Sequence, residues 1–132
     1  MRSKSKLKVI GMKIEKTSFG SIIIDGQKYT KDIYINLDGT IVDRRKDLSK
    51  PISRGHTVLG PKEIELLFRQ NPKTLVIGKG QRGILPIPKE SRKMLEETSI
   101  IVIEDKTPVV MHLLNKLFKE KAKVVAILHL TC

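Results

Sequence analysis

Residues 73–83, KTLVIGKGQRG, place a short apolar run directly before three glycines with the spacing GxGxxG. The apolar run at 75–77 is typical of a buried strand, and glycines after such a strand expose backbone N–H groups to a ligand. The sequence therefore predicts that a central strand ends in this loop and that a binding site would lie beside it. The candidate ligand contacts on the loop are Gly78, Lys79, Gly80, Gln81 and Arg82.

The glycine spacing matches the fingerprint of dinucleotide-binding folds, and Glu104 or Asp105 follows at about the distance of the residue that binds ribose. In that fingerprint a helix begins within the glycines, whereas residues 84–88 contain two prolines that delay the next helix. A sharp structural turn is therefore the favoured interpretation. Lys79 and Arg82 could still hold a small anion with the loop N–H groups, or they could be two solvated cations.

The first half of the chain has the pattern of short strands joined by tight turns. Asp25-Gly26 follows the apolar run at 19–24 and suits a type I′ hairpin turn, with residues 27–30 as the partner strand. A polar–apolar alternation at 32–35 continues this β-meander. Residues 43–56 are charged and irregular and are predicted to form a loop.

The second half alternates helices and strands. Each of three helices is predicted to start at a proline, whose fixed φ suits the first turn: Pro61, Pro88 and Pro108. Thr107 is predicted to cap the third helix. Three largely apolar stretches are predicted strands: 74–77, 100–103 and 124–130. The order predicts an α/β fold, a three-layer single domain with a mixed central sheet, helices on both faces and a β-rich N-terminal half.

The charge distribution bears on both domain organisation and partners. The 132-residue chain has a formal net charge of +12, and residues 1–31 hold eight Lys or Arg against two carboxylates. We expect residues 1–11 to form a mobile basic arm and residues 12–132 to form one domain. A basic surface attracts nucleic acid non-specifically, but the scarcity of aromatic side chains leaves few groups to stack on bases. No apolar run approaches a membrane-spanning length, so we expect a cytoplasmic protein without membrane contact.

Three side chains outside the loop complete the candidate ligand contacts: Arg44, His56 and His129. His129 lies in an apolar strand, where a hydrogen-bonded core histidine is more common than a catalyst. Cys132 lies three positions further on, and this odd spacing puts the two side chains on opposite faces of a regular strand. The sequence contains no metal-ligand spacing and no GxSxG, HExxH or P-loop motif. We therefore expect no metal and no cofactor, and the question of enzymatic activity stays open.

Three stretches together resemble one known family: FGSIIIDGQKY at 19–29, LVIGKG at 75–80 and HLTC at 129–132. The chain is similar to the adipogenesis-associated Mth-type domain family over most of residues 17–132, and a mitochondrial assembly factor of respiratory complex I shares that fold. The resemblance implies a three-layer α/β fold and a link to partner proteins and assembly, without an established reaction. Val110 and Leu114 replace the alanine and tyrosine usual in the last helix, and Lys121 stands where a glycine normally ends it.

The leading expectation for function is a protein-interaction or assembly module that acts with an unidentified protein partner. One alternative is a small-ligand or anion-binding protein, or an enzyme, with its site at the glycine loop 78–83. The other alternative is non-specific nucleic-acid binding through the basic surface.

Overall fold

The computed structural model describes residues 12–51 and 57–132, so the predicted arm at 1–11 and His56 lie outside the described residues. Within these ranges the chain forms eight strands and three α-helices, with a short 3₁₀ turn at Lys46–Leu48. The elements are β1 Ile14–Ser18, β2 Ser21–Ile24, β3 Gln27–Tyr29, β4 Ile33–Ile35, β5 Ile41–Asp43, α1 Pro61–Phe68, β6 Thr74–Lys79, α2 Lys89–Glu97, β7 Ile101–Asp105, α3 Thr107–Lys119 and β8 Val124–His129.

The main sheet has five strands in the order β5-β4-β8-β6-β7. Strands β8, β6 and β7 run parallel to one another, whereas β4 is antiparallel to both β8 and β5. The central position of β8 explains its apolar sequence, because residues 124–128 are buried on both faces of the sheet. The expected α/β fold with a mixed central sheet is confirmed.

The β-rich half divides between two sheets, so the expectation of one continuous meander is wrong. Strands β1, β2 and β3 form a separate antiparallel sheet, while β4 and β5 join the main sheet. The polar–apolar alternation of residues 32–35 is not matched by an alternation of buried and exposed side chains, because all four residues are buried. The hairpin turn is confirmed, since Asp25 and Gly26 both have positive φ, at 50° and 79°.

Two apolar clusters cover the two faces of the main sheet and confirm the three-layer arrangement. On one face, Val76 and Leu128 of the sheet belong to the same buried cluster as Ile22 of β2 and Leu114 of α3. On the other face, side chains of β6 and β8 pack with the buried side chains of α1 and α2: Leu75, Ile77, Val125, Ile127, Ile64, Leu67 and Leu95. The small sheet and α3 therefore form one outer layer, and α1 and α2 form the other.

The second helix begins one residue after its predicted start at Pro88, and the third begins one residue before its predicted start at Pro108, so Thr107 is not a cap. The capping position is Lys106, and Thr107 is already the first helical residue. The Thr107 hydroxyl instead donates to the main-chain oxygen of His129 over 2.6 Å and accepts the N–H of Gly80 over 2.9 Å. This buried side chain joins the start of α3 to the ends of β6 and β8.

A single amide side chain joins the small sheet to α3. The Ile14 N–H donates to Asn115 Oδ1 over 2.7 Å, and Asn115 Nδ2 donates to the Ile14 carbonyl over 2.9 Å. We expect Asn115→Ala to lower the free energy of unfolding by about 1–3 kcal/mol, because both main-chain groups of Ile14 lose their partner. Urea unfolding measures this, with the exposed His112→Ala on the same helix as the control. Equal effects of the two substitutions would contradict the assignment.

Candidate functional site

The carboxyl ends of β6 and β8 lie side by side, since Lys79 pairs with His129 in the parallel register. The antiparallel neighbour β4 begins at this same end, because Ile33 pairs with Leu128. Strand β5 ends there, because Asp43 pairs with Ile33. The fold therefore brings Arg44 and His129 to the same end of the sheet as the glycine loop. Ligands of open α/β sheets bind outside the carboxyl ends of strands, which makes this end the candidate site.

The backbone N–H groups of the glycine loop are bonded to the protein itself. Gln81 donates to the main-chain oxygen of Thr131 over 2.7 Å, while Arg82 and Ile84 both donate to that of Cys132, over 3.1 and 3.0 Å. The other N–H groups of residues 80–85 also bond to protein atoms. Residues 131–132 thus occupy the position that a bound anion would take in a phosphate-binding loop.

Gly78 and Gly80, which the sequence shares with the Mth-type domain family, allow close approach of neighbouring side chains at Gly78 and of the main chain at Gly80. Gly80 has a φ of +97°, and a Cβ on this residue would overlap the carbonyl carbon of Cys132. A Cβ on Gly78 would lie only 2.8 Å from Thr107 Oγ1 and 2.9 Å from Leu128 Cδ2. Helix α2 begins only at Lys89, so its N-terminus is separated from the glycines by residues 84–88. This geometry favours the structural-turn interpretation of the GxGxxG motif.

Of the two loop cations, Lys79 has an acidic partner. Its Nζ lies 3.1 Å from Glu104 Oε1, and the Arg92 guanidinium contacts both oxygens of the same carboxylate. Hydrogen bonding from Arg92, together with that from Lys79, holds the pKa of Glu104 below its ordinary value despite partial burial. Arg82, in contrast, is exposed to solvent.

Beside the loop, the guanidinium of Arg44 is buried between two carboxylates. Its Nε and Nη2 donate to the two oxygens of Glu63 over 2.9 and 2.8 Å, and Nη1 donates to Asp32 Oδ2 over 3.1 Å. Nη2 also donates to the Val58 carbonyl over 2.7 Å. Burial alone would lower the pKa of Arg44, but Glu63 and Asp32 outweigh it and raise that pKa. Arg44 lies in the stretch 43–56 that is predicted to be a loop, and within the described part of this stretch only Asp43, in β5, and the 3₁₀ turn Lys46–Leu48 depart from that prediction.

Glu63 is fully buried in the first turn of α1 and collects two hydroxyl donors besides Arg44. Tyr34 of β4 donates to Oε1 over 2.5 Å, and Ser49 donates to Oε2. Ser49 in turn accepts the N–H of Gly60 over 2.9 Å. Burial and the neighbouring Glu63 carboxylate raise the pKa of Tyr34 far above its ordinary value, so this hydroxyl keeps its proton and acts as a donor.

Asp32 extends the network to the end of β8. Its Oδ2 is 2.7 Å from His129 Nδ1, its Oδ1 accepts the Leu130 N–H over 2.9 Å, and Lys46 Nζ lies 3.8 Å away. Burial alone would raise the pKa of Asp32, but the hydrogen bond and charge of His129, with help from Leu130 and Lys46, lower it below its ordinary value. We call the side chains of Asp32, Tyr34, Arg44, Ser49, Glu63 and His129 the buried polar network.

The chemistry of this network is that of a satisfied structural cluster. Among the described residues, every buried side-chain nitrogen or oxygen has a hydrogen-bond partner. His129 Nε2 is 3.4 Å from the Thr131 hydroxyl, which is too long for the strong hydrogen bond of an activated nucleophile. In the described part of the chain, no group of three or more His, Cys, Asp or Glu side chains could hold a metal ion.

The sequence-predicted contacts thus share one end of the molecule but have different surroundings. Arg44 and His129 are both bound to Asp32 Oδ2, and the loop residues Gly78 to Arg82 lie beside them. Sequence reasoning did not identify Asp32 and Glu63, because each resembles one of many solvated surface carboxylates. The main feature of the sequence that could have indicated a buried carboxylate is the position of Glu63 beside the apolar face of a short helix.

A comparison with family models shows a match to residues 14–129 for a family described as "Protein of unknown function (DUF498/DUF598)". The chain belongs to this family. The match covers both sheets, all three helices and the buried polar network, and it confirms the resemblance to the Mth-type domain family.

Solved structures show the same fold. A conserved hypothetical protein PH1505 from Pyrococcus horikoshii OT3 is 36% identical, with a TM-score of 0.77 over 92% of this chain and 100% of that one. A protein named MT938 is 28% identical, with a TM-score of 0.73 over the same shares of the two chains. A Bordetella pertussis protein described as a Mth938-like domain is 18% identical over 93% of this chain and 87% of that one, with a TM-score of 0.53. No curated protein matches the chain.

None of the described helices is long and apolar enough to cross a membrane.

The central role of Arg44 can be tested against its sequence neighbour. Arg44→Met leaves two buried carboxylates without their cation and should lower the free energy of unfolding by about 3–5 kcal/mol. Arg45 is exposed and pairs with the exposed Asp47, so Arg45→Met should cause little change. Urea unfolding of both variants makes the comparison. Equal losses of stability would show that the guanidinium of Arg44 is not the centre of the network.

The lowered pKa of Asp32 predicts a dependence of stability on pH. The unfolded chain takes up a proton at this carboxylate near the ordinary value of 3.8, and the folded chain does so only at lower pH. The stabilisation by Asp32 is therefore present above the ordinary value and is lost as the pH falls through the folded-state pKa. The difference in unfolding free energy between the wild type and Asp32→Asn should shrink with acidification. A difference that stays constant across the acid range would contradict the assignment.

Proposed function

We propose that this chain is a protein-interaction or assembly module that docks an acidic partner protein at the carboxyl end of its main sheet. The observation that carries the proposal is a set of three large apolar side chains that are exposed at this end. Phe19, Ile84 and Val109 are 65%, 54% and 50% exposed. We call these three residues the apolar end cluster.

The three residues belong to segments that converge on the stretch 130–132 and the glycine loop. The Gly20 N–H donates to the Leu130 carbonyl over 2.8 Å, which places the turn with Phe19 against this stretch. Ile84 donates its own N–H to Cys132. Val109 lies in the first turn of α3, whose Thr107 N–H donates to the Gly80 carbonyl over 3.0 Å.

Exposed cations flank the apolar end cluster and define the class of partner. Arg82 lies on the glycine loop, two residues before Ile84, and Lys106 directly precedes α3. Apolar side chains that become buried at the centre of an interface supply much of its affinity, and surrounding charges select the partner and speed association. A partner with an apolar patch bordered by Asp and Glu fits this surface, and the net charge of +12 favours the same choice.

The site is built for binding without rearrangement. The turn with Phe19, the loop with Ile84 and the start of α3 are each hydrogen-bonded to neighbouring main chain. A preformed surface loses less conformational entropy on association than a flexible one. The resemblance to a family linked with partner proteins and assembly supports the same proposal. We further propose that the module acts in the cytoplasm and that residues 12–132 form it, with residues 1–11 as a separate arm.

The proposal can be tested by affinity capture with quantitative mass spectrometry. Wild-type protein should recover a reproducible acidic partner, and recovery should fall as salt screens the charges. Serine substitutions at Phe19, Ile84 and Val109, made singly and together, should lower this recovery. We expect at least one of them to lower affinity about tenfold, which corresponds to about 1.4 kcal/mol.

Val42→Ser supplies a matched control, because Val42 is also an exposed apolar residue but lies on the edge strand β5. This control should retain the partner. Undiminished capture by the variant with all three substitutions would refute docking at the apolar end cluster. A failure of the wild type to recover any reproducible partner would count against an interaction module altogether.

A further inference from the structure

Strand β7 forms one edge of the main sheet and pairs with β6 alone within residues 12–51 and 57–132. Its sequence, IVIED, contains three β-branched apolar residues in succession and no proline. Ile101 at its start is 59% exposed. Natural edge strands are commonly protected by charged side chains, proline or a bulge. In β7 the charges lie only in the last two residues, Glu104 and Asp105, so the apolar stretch 101–103 remains a template for pairing with another strand.

The direction of the backbone groups on β7 follows from one hydrogen bond. The Ile101 N–H donates to the Lys73 carbonyl over 3.0 Å, so the backbone groups of Ile101 point toward β6. In a parallel pair, alternate residues direct both their N–H and C=O groups to the same side. Ile103 and Asp105 therefore also face β6, whereas Val102 and Glu104 direct their N–H and C=O groups to the open edge.

We propose that this edge pairs with the same edge of a second copy of the chain. Antiparallel pairing about a two-fold axis at Ile103 sets Val102 of each copy opposite Glu104 of the other. These are the two residues whose backbone groups face outward, so each pair exchanges two N–H···O bonds across the interface. Ile103 then faces its own counterpart at the axis, as a close pair without hydrogen bonds. In a two-fold interface the same surface of both copies must fit itself, and the edge of β7 meets this requirement in the pairing described.

The side chains around β7 support the same partner. Leu113 lies about 200° around α3 from Asn115, which faces β1, so Leu113 lies on the side of α3 away from the small sheet. It is half-buried there and can extend the apolar contact that Ile101 and Ile103 begin. In the antiparallel arrangement the exposed Lys106, after the carboxyl end of β7, approaches the opposite end of the second copy. The exposed carboxylates Glu96 and Glu97, at the end of α2, come shortly before the start of β7 in the second copy.

The high net charge gives this dimer a distinctive response to salt. Two copies that each carry +12 repel one another, while backbone pairing and apolar contact depend little on ionic strength. Self-association should therefore strengthen as salt rises from about 0.1 M to about 1 M, where the Debye length falls from about 10 Å to about 3 Å. Docking of an acidic partner has the opposite dependence, so the two interfaces can be tested separately.

Sedimentation velocity over a range of protein concentrations tests the dimer. The wild type should shift toward twice the monomer mass, and more strongly at high salt. Ile103→Lys places two like charges at the two-fold axis and should keep the protein monomeric. Val42→Lys on the opposite edge strand should dimerise as the wild type does. A wild type that stays monomeric throughout, or equal dimerisation of the two lysine variants, would overturn the proposal.

A cross-linking experiment avoids reliance on a variant that could unfold. In a Cys132→Ser background, Ile103→Cys sets two thiols across the axis, with Cβ atoms about 4.5 Å apart, at the upper end of the disulfide range. Oxidation should give a disulfide-linked dimer of Ile103→Cys, whereas Val42→Cys in the same background should remain largely monomeric. Equal cross-linking of the two variants, or none in either, would refute pairing at β7.

Discussion

The contact of Arg44 with Glu63 and Asp32 fixes the parts of the chain that form the candidate site. A buried guanidinium loses its hydration, and only close, well-oriented carboxylates offset that cost. Glu63 supplies a two-point contact from α1, and Asp32, the residue before β4, supplies a third oxygen. One side chain thereby holds a helix on one face of the main sheet to a strand end within it.

Asp32, which Arg44 holds in place, also positions the chain segment that contacts the glycine loop. Asp32 binds both His129 and the N–H of Leu130, which sets the direction of the chain after β8. The next two residues then accept hydrogen bonds from the loop N–H groups. The GxGxxG spacing therefore has a physical explanation that needs no nucleotide. Gly80 lets its backbone approach Cys132, and the loop N–H groups bind main-chain oxygens of Thr131 and Cys132 in place of a phosphate.

Features set by neighbouring residues could be predicted from sequence, and those set by distant pairing could not. The hairpin at Asp25-Gly26 depends on local backbone preferences, and so do the helix starts, which lie at Pro61 and within one residue of Pro88 and Pro108. Lys121, which replaces the glycine usual in the Mth-type domain family, also has a local explanation. It adopts a φ of +57° just after α3, a conformation that favours glycine. The division of the β-rich half depends instead on the pairing of β4 with β8, about ninety residues away. Arg44 and Arg45 are adjacent and chemically identical, so only the folded structure shows which of them is buried.

The two proposed interfaces are centred on different parts of the molecule and meet at Lys106, which borders the apolar end cluster and also lies at the end of β7. Antiparallel pairing at β7 joins two five-stranded sheets into one and points their carboxyl ends in opposite directions. The apolar end cluster of each copy then lies at a distal end of the joined sheet, away from Ile103 at the axis. Such a dimer would present two equivalent docking surfaces, and a partner with two acidic sites within reach would bind with an effective concentration set by their spacing. This arrangement suits an assembly role, because one dimer could hold two copies of a partner in a fixed relative orientation.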